Sequence, residues 1–536
     1  MTTTDTRPVR PPARGPAVTW SMSPPARAML VLTLCETRRL LRHPALLLAL
    51  AAYLAHWFHT VTATEASRYP VLHDEARTGQ APLLLLAAGT FLAVHLAALR
   101  PVRDHTDDLY EVLVLEPWRR TTAHLLSAVP AAVIAGVLAA ARVLHLATRP
   151  GAVSRPAVSE VATGPLVVLL AAGLAVFLAR LTRSVAAGPL VLAALGVVTV
   201  LGALNGTARA RWLAPVAFED QFRATVPSDL LDRPAGLHLL YLLCCTAALA
   251  VGALWRSGEH RGWGIRVALA AALLGTTATA LGQLRPLPDS VATARGRANT
   301  APAALQECER KGTVTYCAFP EYLGRRVQWA RVAERVLEQL PSSARRSQYF
   351  VRQHISPEAF APEGVAPPAP VERWARDDRR ARTPGAVVVG TEWGPSSGGG
   401  NSAVIGFAAG FAYRSVAGSR ADDPAVAKVC GARGLVVLWL AAQATEETAS
   451  ALRDHASRSY GGLTTLSPLN ANAGLVVPRG AVDMVLTLID RPRAGISARI
   501  RASWTTLTDP RTSLDQAADI LGVPAPRSPA AEDGPC

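Results

Sequence analysis

RPVRDHTDDLYEVLVLEPWRRTTA (100–123) is a charged island between two apolar runs, APLLLLAAGTFLAVHLAAL (81–99) and LLSAVPAAVIAGVLAAARVLHLA (125–147). About 20 apolar residues at 1.5 Å rise cover the hydrocarbon core, so each run can cross a bilayer as a helix. Within the island Leu109, Val112, Leu113 and Glu116 fall at helical spacing, with Asp107, Asp108 and Glu111 opposite, and Arg100, Arg103, Arg119 and Arg120 bracket the stretch. A short amphipathic helix held at a membrane face between two spans is suited to receiving a soluble partner. The alternative is a solvated loop.

Working outward, apolar runs recur at about 44–62, 81–99, 125–147, 163–181, 185–204, 236–255 and 266–283. The fold class these imply is a membrane all-α helical bundle of about seven transmembrane helices, followed by a C-terminal mixed α+β soluble domain. Residues 1–25 are rich in Pro, Thr and Arg and read as a disordered cytoplasmic tail; a cleavable secretory signal is disfavoured because Arg38, Arg39 and Arg42 follow the first short apolar patch. Residues 26–43 read as an interfacial helix, apolar at Leu30, Leu34 and Leu41 and basic toward the headgroups, which completes a transmembrane domain over 26–283. Residues 284–304 read as a linker and 305–536 as an extracytoplasmic domain. In that domain TVTYCAF (313–319), QYFVRQHI (348–355) and AVVVG (386–390) read as strands, and 325–340, 401–416 and 445–458 as helices. The apolar patches SAVIGFAAGFA and GLVVLWLAA are too short to span and read as core helices.

The net charge of +15 rests on arginine, because Lys311 and Lys428 are the only lysines. Neither half of the chain is basic enough to suggest a nucleic-acid groove. With the N-terminus inside, cytoplasmic segments carry sixteen arginines (7, 10, 14, 27, 38, 39, 42, 100, 103, 119, 120, 180, 183, 256, 261, 266), and the opposite loops carry eight (68, 77, 149, 155, 209, 211, 223, 233). That bias favours a multi-pass cell-membrane protein with a cytoplasmic N-terminus, and an odd span count then puts the C-terminal domain outside.

No GxxxxGK[ST], HExxH or paired CxxC motif is present, so neither a P-loop nor a zinc site is expected, and no cofactor. No Asp, Glu or Lys falls inside an expected span. The membrane candidates for ion coupling reduce to His56, His95, Arg142, His145 and His238, with Arg142 and His145 expected to snorkel and the histidines to pack. Gly394-Pro395-Ser396-Ser397-Gly398 matches GxSxG with His354 and His455 available. Thr391, Glu392 and Trp393 separate it from the preceding strand, however, so no enzyme is expected. Cys35, Cys244 and Cys245 read as small apolar residues. Cys308 and Cys317 flank a hairpin turning near Lys311-Gly312, and a bridge there would contribute about 2.7 kcal/mol in an oxidising exterior. Cys430 and Cys536 are left without an assigned partner.

A basic amphipathic helix running into a first span (ETRRLLRHPALLLALAAYL, 36–54), a second span, and then RDHTDDLYEVLVLEPWRRTTAHLL (103–126) resembles the type 2 permeases of ATP-binding-cassette (ABC) transporters, especially those of high-GC Gram-positive bacteria. The resemblance covers about residues 26–260. It implies that Glu36 to His43, with Arg38, Arg39 and Arg42, form the family's elbow helix. It also implies that Asp107 to Pro117 form the coupling helix, with Asp107, Asp108, Leu109, Glu111, Leu113 and Pro117 docking on a cytoplasmic ABC ATPase. A permease subunit moving a substrate, with export the expected direction, in a homodimer or a heterodimer with a second permease, would follow. The family commonly has six spans and both termini cytoplasmic; a seventh span and about 250 further residues depart from it. The competing expectation is a non-transporting membrane anchor that displays an extracytoplasmic interaction or sensory domain.

Overall fold

The computed structural model describes residues 24–63, 69–106, 115–205, 209–218, 225–258, 262–361, 367–394, 402–418, 426–457, 463–469 and 473–525. Six helical stretches are long and apolar enough to cross a membrane: Pro44–Thr62, Leu72–Ala98, Pro117–Ala147, Val158–Leu181, Ala235–Arg256 and Trp263–Gln283. The remaining expected span is also helical, Ala187–Asn205, although its described apolar part, Ala187–Leu201, is shorter than the other six. Three expected spans start earlier than their apolar runs suggest, Val158–Leu181 among them. Helix Pro117–Ser127 takes over the end of the charged island, with Pro117 at a position where its missing N–H costs nothing, and leads through Ala128 into Val129–Ala147. Helix Leu72–Thr78 precedes Leu83–Ala98 across a break at Gly79–Pro82.

Val158–Leu181 is the hub of the bundle. Its buried face (Val167, Val168, Ala172, Ala175, Val176) packs into one core with Leu83, Leu86, Phe91 and Val94 of Leu83–Ala98, with Ala131, Ala132 and Ala135 of Val129–Ala147, and with Leu242 and Ala253 of Ala235–Arg256. Small residues permit the close approach, because lipid offers no hydrophobic drive to bring helices together. At Gly89 an added Cβ would lie 2.7 Å from Ala49 Cβ and 2.8 Å from the Ala45 carbonyl oxygen. The outer helices Pro44–Ala63, Ala187–Asn205 and Trp263–Gln283 leave large apolar side chains exposed, among them Leu48, Phe58, Leu190, Val198, Leu274 and Leu281, as expected of surfaces solvated by lipid.

The stretch expected as a linker contains a helix, Asp289–Thr300, entered from Pro288 with Asp289 in its first turn. Beyond it lie two sheets. The first has the order β1-β2-β3-β4 (Glu307–Lys311, Val314–Ala318, Tyr349–Gln353, Val387–Val389), with β1 antiparallel to β2 and the other neighbours parallel. The second has the order β5-β7-β6 (Val426–Lys428, Gly474–Pro478, Leu463–Leu466). Helix Arg326–Gln339 shows why sequence periodicity locates these elements: Trp329, Ala330, Val332, Ala333 and Val336 line its buried face. Both short apolar patches are core helices, Ser402–Ala417 and Gly431–Ala442, and Leu435 to Ala441 are fully enclosed. One continuous core joins both sheets to these helices.

Cys308 and Cys317 face each other across the β1–β2 hairpin, Cα atoms 4.0 Å apart, and form a disulfide. Cys430 is disulfide-bonded as well, which the sequence reading left unassigned. Cys35, Cys244 and Cys245, all in bundle helices, are free thiols. Among the described residues the cysteines are therefore partitioned: free in the bundle, bonded in the C-terminal region.

Candidate functional sites at the two ends of the bundle

At one end the interfacial helix, Pro24–Leu41, is tied to the start of the charged island. Glu36 is only 4% exposed and its Oε1 accepts from Arg100 Nη1 at 2.8 Å and from Arg39 Nη1 at 3.3 Å. Arg100 stands in a four-residue turn, Arg100–Arg103, with Pro101 inside it. The same end gathers Thr37, whose hydroxyl donates to the Ser127 carbonyl at 3.4 Å, and a hydroxyl pair, Thr121 with Ser257, at 2.6 Å. Arg38, Arg39 and Arg42 are exposed, as are Leu30 and Leu34, so the helix carries an unpartnered apolar face beside a basic one. Of the expected docking residues, Asp107, Asp108, Leu109, Glu111 and Leu113 lie outside the described residues; Pro117 is exposed and opens helix Pro117–Ser127.

At the other end the loops between helices carry a dense ionic network. Arg142 Nη2 donates to Glu75 Oε2 at 2.7 Å and its Nη1 to the Glu75 carbonyl at 2.9 Å. It is thus a cross-helix clamp, which corrects the expectation that it snorkels. Arg142 fits because Gly79 leaves it room, an added Cβ there colliding with its guanidinium. Arg233 bonds Asp74 Oδ1 at 2.7 Å and lies 3.7 Å from Glu160 Oε1. Glu160, 3% exposed, sits in the first turn of Val158–Leu181, so a spanning helix does carry a buried acid once its true start is known. Arg77 stacks over Trp212 at 4.4 Å and donates to the Ala217 carbonyl. His238 is held by the Trp212 carbonyl and by Gln283 Oε1, each 3.0 Å from Nδ1, which makes it a packed, hydrogen-bonded histidine. His95 is buried with its ring parallel to Phe91.

The C-terminal domain seats on this network. Val71 and Val153 form an isolated parallel bridge and enter one small core with Val226, Leu230, Phe319, Tyr322 and Ile355. Glu321, after β2, is the common acceptor. Its carboxylate takes bonds from the Ser228 backbone N–H at 3.0 Å, the Ser228 hydroxyl and the Ser154 hydroxyl at 3.2 Å, while its carbonyl accepts from Ser154 N at 3.1 Å. His73 Nδ1 is 2.6 Å from Ser154 Oγ and 3.8 Å from Glu321 Oε2. Thr391, after β4, donates to the Thr225 carbonyl at 2.5 Å, and Gln328 Nε2 to the Pro150 carbonyl at 3.0 Å. Every domain residue in these bonds follows the carboxyl end of a strand in the parallel part of the first sheet. Those ends form the edge of an α/β sheet where irregular loops gather.

The hydrolase pattern is not assembled from the described residues. Ser396 lies outside them, and His354 is 1% exposed with its ring 4.2 Å from Trp374. Burial, with the nearby Arg352 guanidinium, pushes the His354 imidazole down to about 3, so it is neutral at pH 7 and poorly suited to take a proton. Arg352 itself pairs with Asp378 at 2.6 Å, with Gln306 Oε1 at 2.8 Å and with Thr383 at 2.5 Å. Among the described residues no group of three or more His, Cys, Asp or Glu side chains could hold a metal ion.

No family model, no curated protein and no solved structure matches the chain. Any functional reading therefore rests on the geometry of the two ends. The junction residues are individually visible in the sequence as charges beside apolar runs, and Arg142, expected there to snorkel, is the one signal of a buried acid partner. Nothing local pointed to Glu75 as that acid, or to Glu321 as the acceptor shared by two loops.

Proposed function

We propose that this chain is the membrane-spanning permease subunit of an ABC transporter, driven by a separate cytoplasmic ATPase, working as a homodimer or with a second permease, and moving its substrate outward. The observation that carries this reading is the Glu36–Arg100 ion pair. It joins an amphipathic interfacial helix to the loop between the second and third spans, so a push delivered to that loop reaches the interfacial helix and both spans together. In this reading Leu109 and Leu113 seat in the ATPase, and Asp107, Asp108 and Glu111 meet basic groups at the rim.

Seven crossings and an outside C-terminal domain belong to the same reading. Gly188, at the start of Ala187–Asn205, abuts His95 near the Arg100 end of its helix, whereas Trp212 lies against Arg77 and His238 at the domain end. The chain between them changes ends, which supports a crossing by Ala187–Asn205. The arginine bias supports the Arg100 end as cytoplasmic, and the bonded cysteines support the domain end as the oxidising side.

The test is purification of the tagged chain from membranes of its own host, with ATP hydrolysis measured on the product. The wild type should bring down an ATPase. Leu109→Asp with Leu113→Asp should insert normally and lose that ATPase or its stimulation, since burying unpaired carboxylates is costly. The same changes at Leu166 and Leu169 should impair insertion instead. Normal insertion of the Leu109/Leu113 variant with a fully stimulated ATPase would reduce 100–123 to a solvated loop and leave the membrane-anchor reading.

A further inference from the structure

Arg325 is 1% exposed, at the end of the turn that follows β2. Its Nη2 donates to the Tyr69 carbonyl at 2.6 Å and its guanidinium lies 5.5 Å from the Tyr69 ring centre. Its Nε and Nη1 have no partner among the described residues, and no carboxylate there forms an ion pair with it. Buried ionic groups are ordinarily paired, because an isolated charge loses far more solvation than one carbonyl bond and a ring face return. Burial pulls the Arg325 guanidinium down only to about 10, so it remains a cation at pH 7. The neighbouring Tyr322 supplies no countercharge, since burial raises its hydroxyl and keeps it protonated. One helical turn further on, Trp329 is fully buried and its indole Nε1–H is likewise without a partner among the described residues. Arg325 is the N-cap of helix Arg326–Gln339 and Trp329 stands four residues on, a spacing that puts the two residues on one face.

We propose that the junction between the bundle and the C-terminal domain binds a small oxyanion, a carboxylate or phosphate group, against Arg325 with Trp329 as a second donor. A guanidinium with three uncommitted N–H groups is a donor-only group carrying one positive charge, and the Trp329 indole N–H, four residues on, is a further donor with no acceptor among the described residues, a set that matches an oxyanion and excludes a cation. Arg325 belongs to the domain and its carbonyl partner, Tyr69, to the loop after the first span. A bound anion would therefore sit where domain and bundle meet and stabilise their docking. This inference does not depend on the partner ATPase, so it survives the failure of the permease reading.

The experiment uses the full chain in detergent, following the thermal midpoint while sodium formate, acetate or phosphate replaces sodium chloride at constant ionic strength. The expected result is a saturable rise with at least one of the three, the formate and acetate arms marking a carboxylate and the phosphate arm a phosphate. Arg325→Gln should abolish the rise. Trp329→Phe, which keeps the ring and removes the donor, should weaken the apparent affinity roughly 3- to 10-fold, as loss of one hydrogen bond does. A midpoint that follows ionic strength alone overturns the proposal, as does an equal rise in Arg325→Gln. If Arg325→Gln does not fold, an unchanged affinity in Trp329→Phe overturns it.

Discussion

At the scale of single residues, the two buried charges Glu36 and Arg325 carry the functional reading, and His354 carries a stability consequence. The Glu36–Arg100 pair is 26% exposed on the arginine side, so its contribution should fall below that of a fully buried pair. A double-mutant cycle over Glu36→Gln and Arg100→Gln should give a coupling of about 1–2 kcal/mol, read from midpoints in detergent. Zero coupling would detach the interfacial helix from the island. His354 titrates near 3 in the fold against 6.5 as the reference value. The unfolded chain therefore binds more protons than the folded one between those values, and stability is lost as pH falls from 6.5 toward 3. Asp378 opposes part of this. Burial raises its carboxyl to about 6 despite Arg352, so its contribution is fully present below 3.8 and is lost as pH rises through 6. Both ring nitrogens of His354 lack partners among the described residues. His354→Phe should then leave stability at pH 7 unchanged or higher by ~1 kcal/mol, and should flatten the decline between pH 6.5 and 4.5. A variant that is strongly destabilised at pH 7 would mean that the imidazole is hydrogen-bonded after all.

At the scale of elements, the pattern of apolar runs was enough to locate the spanning helices, and alternation was enough to locate β2, β3 and β4 to within two residues at each end. The hairpin turning at Lys311-Gly312 and its bridge were also legible, since Gly312 takes a positive φ of 60° and Cys308 and Cys317 fall in register across it. Peptide mapping of unreduced protein should find these two cysteines joined, and Cys308→Ser with Cys317→Ser should cost about 2.7 kcal/mol by loop entropy. Helix starts were less legible. Hydropathy marks where apolar residues begin, whereas Val158–Leu181 and Pro117–Ser127 begin in polar sequence, and polar residues near their starts, Glu160 and Thr121, are buried against protein. That difference hid Glu160 from the sequence reading. Close helix contacts were hidden too, because a glycine in an apolar run does not name the helix it touches. Gly89→Leu should force Pro44–Ala63 away from Leu83–Ala98 and cost ~1–3 kcal/mol, measured as a lower midpoint in detergent.

At the scale of the whole molecule, the C-terminal domain rests on loops from three separate helix connections, through Tyr69 and Val71, through Pro150 to Ser154, and through Thr225 to Leu230. Side chains from all three meet the carboxyl ends of β2, β3 and β4. A change in the spacing of the bundle helices would therefore alter the domain's seat, and a ligand at the seat would bias the bundle in return. In the proposed topology the three connections and the domain share one side of the membrane, with Arg100, Thr121, the 182–186 turn and Ser257 on the other. Labelling with a membrane-impermeant maleimide in intact spheroplasts tests that directly. In a background with Cys35, Cys244 and Cys245 replaced by alanine, Arg335→Cys on the exposed face of the domain and Ser184→Cys in the turn serve as reporters. We expect Arg335→Cys to label in intact spheroplasts and Ser184→Cys to label only after the membrane is opened; the reverse pattern, or labelling of both from the same side, would contradict the outside placement and the seven crossings together.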